Sequence, residues 1–144
     1  MTPGREVGVG CMAISFNELM GWWTLSEAWH EFETAPRRNP FGLANGSLVF
    51  TSDRMMLVIL ATKGYGHAPG YDVEAHSGRF VLDGSELITK VDFSSNVQWM
   101  HQEIKYCASL GQDGLLCLTS RQVGLLYDGA PFTHASNWFR MRAP

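Results

Sequence analysis

Four polar side chains in or beside predicted strands are the first candidates for acid–base chemistry, and strand alternation turns three of them toward an apolar interior. If Trp23 faces inward, the two-residue period of a β-strand puts Glu27 on the same face. An apolar environment favours the protonated form of a carboxyl, which can act as a general acid or donate a hydrogen bond to a carbonyl. The alternative is a structural carboxylate that pairs with Lys90 or Lys105.

A histidine is the second candidate, because an imidazole can orient or deprotonate a substrate near neutral pH. His76 and His134 lie in or beside predicted strands, and His67 falls in a long loop suited to the mouth of a cavity. The histidines show no HxH or HExxH spacing, so we expect no metal site. The alternative for each is an ordinary surface or core histidine.

The segment 99–110 contains the other two candidates, Gln102 and Tyr106. In an extended strand they share a face with Ile104 and Ala108, and that face is more apolar than the opposite one. We therefore predict that it faces inward, where Gln102 and Tyr106 donate hydrogen bonds into a cavity. The alternative is that both only satisfy hydrogen bonds inside a small core.

Aromatic and methionine side chains are numerous enough to line an apolar cavity as well as to form a core. Such a lining suits a small hydrophobic molecule of the polyketide or terpenoid kind. The predicted ligand-binding residues are Trp29, Met56, Phe80, Phe93, Trp99, Ile104, His134 and Trp138. The chain has no P-loop, no GxSxG and no GxGxxG in a strand–helix context, so we expect no cofactor.

Strands must position these residues, because alternating and apolar runs separated by turn residues fill most of the chain. The predicted strands are 22–32, 46–51, 55–61, 74–82, 85–93, 99–110, 115–120, 122–127 and 135–142, after a helical turn near 16–20. The pattern predicts an all-β fold, a single antiparallel up-and-down β-barrel of eight to nine strands, with a two-sheet sandwich as the alternative. A barrel of this size has room for one small ligand.

Composition narrows the class of protein. With 144 residues, 45% of them hydrophobic and 17% charged, the chain is one domain, which we divide into a leader with a short helix (1–18) and the barrel (19–144). A net charge of −3 without a basic stripe disfavours nucleic-acid binding. No apolar run is long enough for a transmembrane helix. Three cysteines, Cys11, Cys107 and Cys117, form no zinc pattern, and an odd, sparse set favours free thiols in the cytoplasm.

Short motifs spread along 19–142 resemble a known family. The segment 21–23 (GWW) matches the G-x-W opening of lipocalins, and 75–84 (AHSGRFVLDG) is similar to an SGR(Y/F)-x-(V/L)-DG hairpin. A tryptophan-bearing strand at 99–106 and a closing W-x-R at 138–140 follow in the same order. Together they resemble the microbial lipocalin-like family of calycin-type small β-barrels. That resemblance implies that Trp23 packs across the closed end of the barrel under Arg140 or Arg142.

The resemblance also implies a class of function. Lipocalin-like barrels carry small hydrophobic molecules, and related small barrels of biosynthetic pathways act as cofactor-free cyclases or isomerases. We therefore expect a cofactor-independent cyclase or isomerase, for instance an intramolecular Diels–Alder cyclase, that holds a hydrophobic intermediate in near-attack geometry. The alternative is a non-catalytic carrier of such molecules. A third hypothesis is an oligomerising scaffold, which low charge and high aromatic content favour, with a homodimer as its simplest form.

Overall fold

A computed structural model of the protein describes residues 14–61, 73–122 and 129–141. Within these ranges the chain forms one short helix, one 3₁₀ turn and eight strands. The helix is α1 (Phe16–Leu19), the 3₁₀ turn is Val97–Trp99, and the strands are β1 (Gly21–Glu31), β2 (Asn45–Phe50), β3 (Arg54–Leu60), β4 (Val73–Asp83), β5 (Glu86–Ser94), β6 (Glu103–Leu110), β7 (Leu116–Gln122) and β8 (Phe132–Arg140).

The strands form a closed antiparallel barrel. Each strand pairs with the next one along the chain, and β8 returns to pair with β1. The prediction of an all-β, up-and-down barrel preceded by a helical turn is therefore confirmed. Closure pairs the first and last strands, which removes the sheet edges that a chain this apolar would otherwise expose.

One predicted strand begins too early. The carbonyl oxygen of the Asn96 side chain accepts a hydrogen bond from the Gln98 N–H (3.2 Å), which caps the 3₁₀ turn, and β6 starts only at Glu103. The prediction for 99–110 is thus wrong over its first residues. Of the predicted strand 122–127, only Gln122 is described, as the last residue of β7. The predicted loop at 62–73 lies almost wholly outside the described residues.

The N-terminal helix closes one end of the barrel. Ser15 and Glu18 form a reciprocal capping box at the start of α1. The Trp23 indole N–H donates to the Leu19 carbonyl (3.0 Å), and the Arg140 guanidinium lies 4.2 Å from the centre of the Trp23 ring. The expected stacking of Arg140 on Trp23 is confirmed. The contact fastens the last strand to the first.

Part of the apolar core packs against this closed end. Phe50 and Phe80 meet edge to face, with ring centroids 5.4 Å apart, and Phe16 of α1 stacks on Phe80 at 6.0 Å. Alternate residues of β3, β6 and β7 are buried, as the period of two requires. The apolar packing here supports the fold and holds the polar end of the barrel in place.

An irregularity in β1 changes which residues face inward. The pairing of β1 with β8 shifts between Leu25 and Glu27, so one extra residue interrupts the alternation. Beyond this bulge Ala28 and His30 are buried, and Glu27 is exposed. The predicted inward position of Glu27 is therefore wrong, because the alternation that begins at Trp23 does not continue through the bulge.

The described residues also show the state of two cysteines and whether any helix could span a membrane. Cys107 is disulfide-bonded, so the expectation that it behaves as a free thiol is wrong. Cys117 is a free, partly buried thiol. No helix in the described ranges is long and apolar enough to cross a membrane.

Candidate functional site

A polar cluster lies inside the end of the barrel opposite α1. The Nε2 atom of His76 lies 3.4 Å from Glu74 Oε2, and the Nε2 atom of His134 lies 3.3 Å from the same oxygen. The three side chains are only 3%, 4% and 12% exposed for His76, His134 and Glu74. We call these residues the Glu74 cluster.

Two strands on different sides of the barrel build the cluster. Glu74 and His76 are two residues apart on β4, so their side chains share the inner face of the strand. His134 lies on β8, which pairs with β1 and β7 but not with β4. The contact between His134 and Glu74 therefore crosses the interior of the barrel, and closure of the sheet is what brings the two groups together.

Aromatic rings surround the cluster. His30 lies next to His134 (centroids 5.1 Å apart) and next to Phe132 (4.5 Å). Phe41, from the segment between β1 and β2, contacts the rings of both His30 (5.9 Å) and His134 (5.8 Å) and is fully buried. A polar centre thus lies within an apolar shell, where electrostatic interactions are stronger than in water.

This environment polarises the cluster. Burial alone raises the pKa of the Glu74 carboxyl, but the two imidazoles beside it outweigh burial and hold the pKa well below its usual value. Burial alone lowers the pKa of His134, yet the Glu74 charge raises it above 6.5. The two shifts together favour an ionised carboxylate next to a protonated imidazole.

A hydroxyl group sets the orientation of His76. The Nδ1 atom of His76 lies 2.8 Å from Ser94 Oγ, and that oxygen also accepts a hydrogen bond from the Asn96 N–H (3.0 Å). This contact fixes the ring so that its other nitrogen, Nε2, faces the Glu74 carboxylate. Both imidazoles lie next to the same carboxylate oxygen, Glu74 Oε2.

Hydroxyl groups of neighbouring strands also lie in the interior. Tyr106 is 5% exposed, and burial together with the Glu74 charge raises the pKa of its phenol above the usual range. The phenol is therefore a permanent hydrogen-bond donor. The Thr89 hydroxyl is buried on β5 and has no hydrogen-bond partner among the described residues.

Several predicted site residues do face the interior. His76, Tyr106 and His134 belong to its polar part. Ile104, Phe80 and Trp138 belong to the apolar core, Phe80 near the closed end. The Trp138 indole N–H donates to Ser136 Oγ at 2.8 Å, which satisfies it within the wall. Only the first group combines burial with chemistry that can act on a ligand.

Five predicted site residues do not face the interior. Glu27 is 45% exposed at its side chain and lies 3.3 Å from Arg37. Gln102 is exposed before β6 begins, because the 3₁₀ turn breaks the alternation. Met56 (51% exposed) lies between two buried residues of β3, and Phe93 (71% exposed) follows the bulge in the β4–β5 pairing, so both point outward. The placement of all four in the cavity is wrong.

Trp29 is the fifth of these residues. It lies on the outer face of the barrel, where other side chains cover it. The Arg37 guanidinium covers its ring at 4.7 Å, and its indole N–H donates to the Glu31 carboxylate at 2.8 Å. The bulge in β1 reverses its face in the same way as that of Glu27. Its prediction as a cavity residue is wrong for the same reason.

The residue that sequence reasoning missed is Glu74. It has the same parity on β4 as His76 and Phe80, and Phe80 was expected to face inward. An acidic residue on the apolar face of a strand was therefore visible in the sequence. It was overlooked because it stands at the end of the predicted strand, where side chains are usually solvated.

Three pockets open near these residues. The first, of about 570 Å³, lies beside β5, β6 and β7, and the second, of about 430 Å³, lies beside β3, β4 and β5. The third, of about 440 Å³, is lined by Tyr106 together with Lys105, Arg121 and the carboxylates Glu31 and Glu86. The predicted site residues that line the first are Trp99, Gln102 and Ile104. Those that line the second are Met56, His76 and Phe93. Trp99, half-buried in the 3₁₀ turn, thus lies at a pocket and not in the barrel centre.

The donor groups of the site also limit what it can hold. Within the described ranges no three histidine, cysteine or carboxylate side chains are grouped so that they could bind a metal ion. The groups that are present are a carboxylate, imidazoles and hydroxyls, which transfer protons and donate hydrogen bonds. In comparisons with known proteins, no family model matches the chain, and no curated protein matches it.

Proposed function

We propose that this protein is a cofactor-independent isomerase or cyclase that moves a proton on an apolar molecule held at the Glu74 cluster. The observation that carries the proposal is the approach of two imidazoles to one oxygen of a buried carboxylate, inside an otherwise apolar barrel. Buried ionisable groups with perturbed pKa values concentrate at functional sites.

Each group has a role in such a reaction. The Glu74 carboxylate, which both imidazoles orient, takes a proton from a carbon next to a carbonyl. The neutral Tyr106 phenol donates a hydrogen bond to the oxygen on which negative charge develops. The proton then returns to another carbon of the same molecule, so no co-reactant is consumed. If the enolate carbon instead attacks a second carbonyl of the substrate, a C–C bond closes the ring, the C=O double bond becomes an alkoxide, and the proton on Glu74 passes to that alkoxide.

Proton transfer is favoured over a pericyclic ring closure as the chemistry of the site. A pericyclic step needs shape and at most a hydrogen bond, whereas an ionised carboxylate in an apolar interior carries a desolvation cost. A role in acid–base catalysis accounts for keeping an ionised carboxylate in the interior despite that cost. Cyclisation through an enolate remains within the proposal, and a Diels–Alder reaction does not need the cluster.

We also propose that the chain is a lipocalin-like barrel. Closure with eight antiparallel strands, the α1 plug and the Arg140–Trp23 stack all support this assignment. The SGRFVLDG segment forms the end of β4 and its turn, as in the hairpin it resembles. In such a barrel a ligand occupies the end opposite the plug, where the Glu74 cluster lies.

A proton-abstraction probe tests the proposal without knowledge of the natural substrate. With 5-nitrobenzisoxazole, a base takes the ring C–H proton, the N–O bond breaks, and a coloured nitrophenolate is released. We expect Glu74→Gln to lower the rate constant about 100-fold, as loss of a general base does. Glu74→Asp, which keeps the charge but withdraws the carboxylate, should lose part of the rate and guards against misfolding of the amide variant.

Glu27→Gln is the matched control, since it removes an equally charged but exposed carboxylate of the same barrel. Equal rates for the Glu74→Gln and Glu27→Gln proteins, with intact far-ultraviolet circular dichroism, would contradict the proposal. If neutral Nile red still binds in that case, the non-catalytic carrier becomes the better account.

A further inference from the structure

The wall of the barrel is open between β6 and β7. Pairing of these strands runs from Leu110 and Leu116 only as far as Cys107 and Thr119. Yet β6 begins at Glu103, and β7 continues to Gln122 with β8 as its remaining partner. If the register continued, Lys105 would face Arg121 and Tyr106 would face Ser120, but neither pair forms. We call this gap the β6–β7 opening.

The pocket of about 570 Å³ lies at this opening and reaches its inner side. Its lining includes Ile104 and Ser120, which are 2% and 3% exposed and belong to the inner face of the barrel. Trp99, half-buried and packed against the core, forms another part of the lining. The pocket therefore connects solvent with the interior surface near Tyr106.

The rim of the pocket is positively charged. Lys90, Lys105 and Arg121 line it together with a single carboxylate, Glu103, although the chain as a whole carries a net charge of −3. Within the described part of the chain, none of the three cations lies in an ion pair. Three unpaired cations around one pocket create a local field that attracts an anion.

A buried polar group behind the rim is also unsatisfied. Thr89 pairs with Ile104 across the β5–β6 ladder, and its hydroxyl, in a residue 1% exposed, has no hydrogen-bond partner in the described ranges. An unmade hydrogen bond on a buried hydroxyl is costly and usually has a reason.

We infer that the β6–β7 opening is the entrance of the binding site, and that its three cations bind the carboxylate of an otherwise apolar ligand. The ligand class is thus an amphiphilic monoacid, with its apolar body past Trp99 and Ile104 and its carboxylate at the rim. The inference deepens the proposed function by naming a substrate class for the same site, and it rests on that proposal only for the catalytic fate of the ligand.

Fluorescence titration with two matched probes tests it. Dansyl-undecanoic acid carries the carboxylate, and its methyl ester has the same apolar body without the charge. We expect the acid to bind about tenfold more tightly than the ester at low ionic strength, and this advantage to shrink as salt is added. The double variant Lys105→Gln/Arg121→Gln should remove most of the advantage and leave the affinity for the ester unchanged.

Arg54→Gln is the charge-matched control, because Arg54 begins β3, pairs with Asp92 and does not line the pocket. Ser120→Trp, which fills the opening, should weaken binding of both probes. The inference is overturned if acid and ester bind equally, if the double variant binds the acid as wild type does, or if Arg54→Gln lowers acid affinity equally.

Failure of the inference and failure of the proposed function give different results. Glu74→Gln should abolish proton abstraction from nitrobenzisoxazole and keep the preference for the acid over the ester. A protein that abstracts the proton but shows no such preference has the proposed chemistry and a different entrance.

Discussion

The two neighbouring histidines inside the barrel, His30 and His134, differ in charge. Burial, and then the positive charge of His134, lowers the pKa of His30 to about 3, so the His30 ring is neutral at physiological pH. His134 carries its proton because Glu74 lies beside it. The two adjacent imidazoles thus carry one positive charge between them, which avoids placing two positive charges in an apolar shell.

The low pKa of His30 predicts acid sensitivity. Because the folded-state pKa lies below the unfolded value of 6.5, stability is complete above that pH and is lost as pH falls toward 3. The loss is about 1.4 kcal/mol per pH unit. In His30→Phe, the free energy of unfolding should fall less steeply between pH 6.5 and pH 4 in urea titrations. The exposed residue His101 provides the control His101→Asn, which should keep the wild-type slope.

The ion pair of Glu74 and His134 predicts a different pH window. The lowered pKa of Glu74 stabilises the fold above about pH 4.5, and the raised pKa of His134 stabilises it below about pH 6.5. Glu74→Gln should therefore cost most, about 3 kcal/mol, between these values, and less on either side. Glu27→Gln should cost less than 1 kcal/mol at every pH, since surface pairs contribute little. A pH-independent cost for Glu74→Gln would contradict the ionised pair.

Among the strands, β4 shows how backbone geometry serves the site. The β4–β5 register shifts between Ser77 and Gly78, next to His76. A Cβ atom on Gly78 would lie 2.0 Å from the Lys90 carbonyl oxygen, so the strands approach each other there more closely than any larger residue permits. The bulge is possible because Gly78 has no side chain.

Gly78→Ala should therefore force β4 and β5 apart. We expect a loss of about 3 kcal/mol in the free energy of unfolding, the upper range for overpacking, together with altered histidine signals of His76 in NMR spectra. Gly84→Asn is a suitable comparison, because the turn at Gly84 has open space and a φ of 65° that asparagine tolerates. A neutral Gly78→Ala protein would show that the close approach is not maintained in solution.

The strands also show what the sequence can predict. The period of two placed Tyr106 and Ile104 inside correctly, because β6 is regular at those residues. It failed for Glu27, since a single extra residue in β1 reverses the face and leaves no mark in composition. It failed for Gln102 because a side-chain cap at Asn96, a local feature, replaces strand with a 3₁₀ turn.

The molecule as a whole has two ends with different tasks. At the closed end, α1, the Trp23–Arg140 stack and the phenylalanine cluster provide stability. At the other end, strands far apart in sequence bring Glu74 and His134 together across the interior. Contacts between residues this far apart in sequence depend on closure of the barrel. Strand periodicity predicts the barrel as a fold class but does not predict which residues meet across its interior. The cluster could therefore not be derived from local pattern.

Arg140→Gln tests the role of the closed end. The guanidinium stacks on Trp23 and donates hydrogen bonds to the carbonyls of Met20 (2.8 Å) and Glu18. Its loss should lower the free energy of unfolding by about 2 kcal/mol, the sum of a cation–π contact and a charged hydrogen bond. Arg79→Gln, on an exposed position of β4, should change it little. Equal stabilities of the two variants would show that the stack does not hold β8 against β1.

The protonation state of His134 tests the central claim most directly. In ¹⁵N-labelled protein, the histidine side-chain signals of His134 should report a protonated ring at pH 7, with a pKa above 6.5, because the buried Glu74 carboxylate faces it. In Glu74→Gln only burial remains, so the ring should be neutral at pH 7. A His134 that titrates alike with and without the Glu74 carboxylate would contradict the account of a buried acid–base pair inside the barrel.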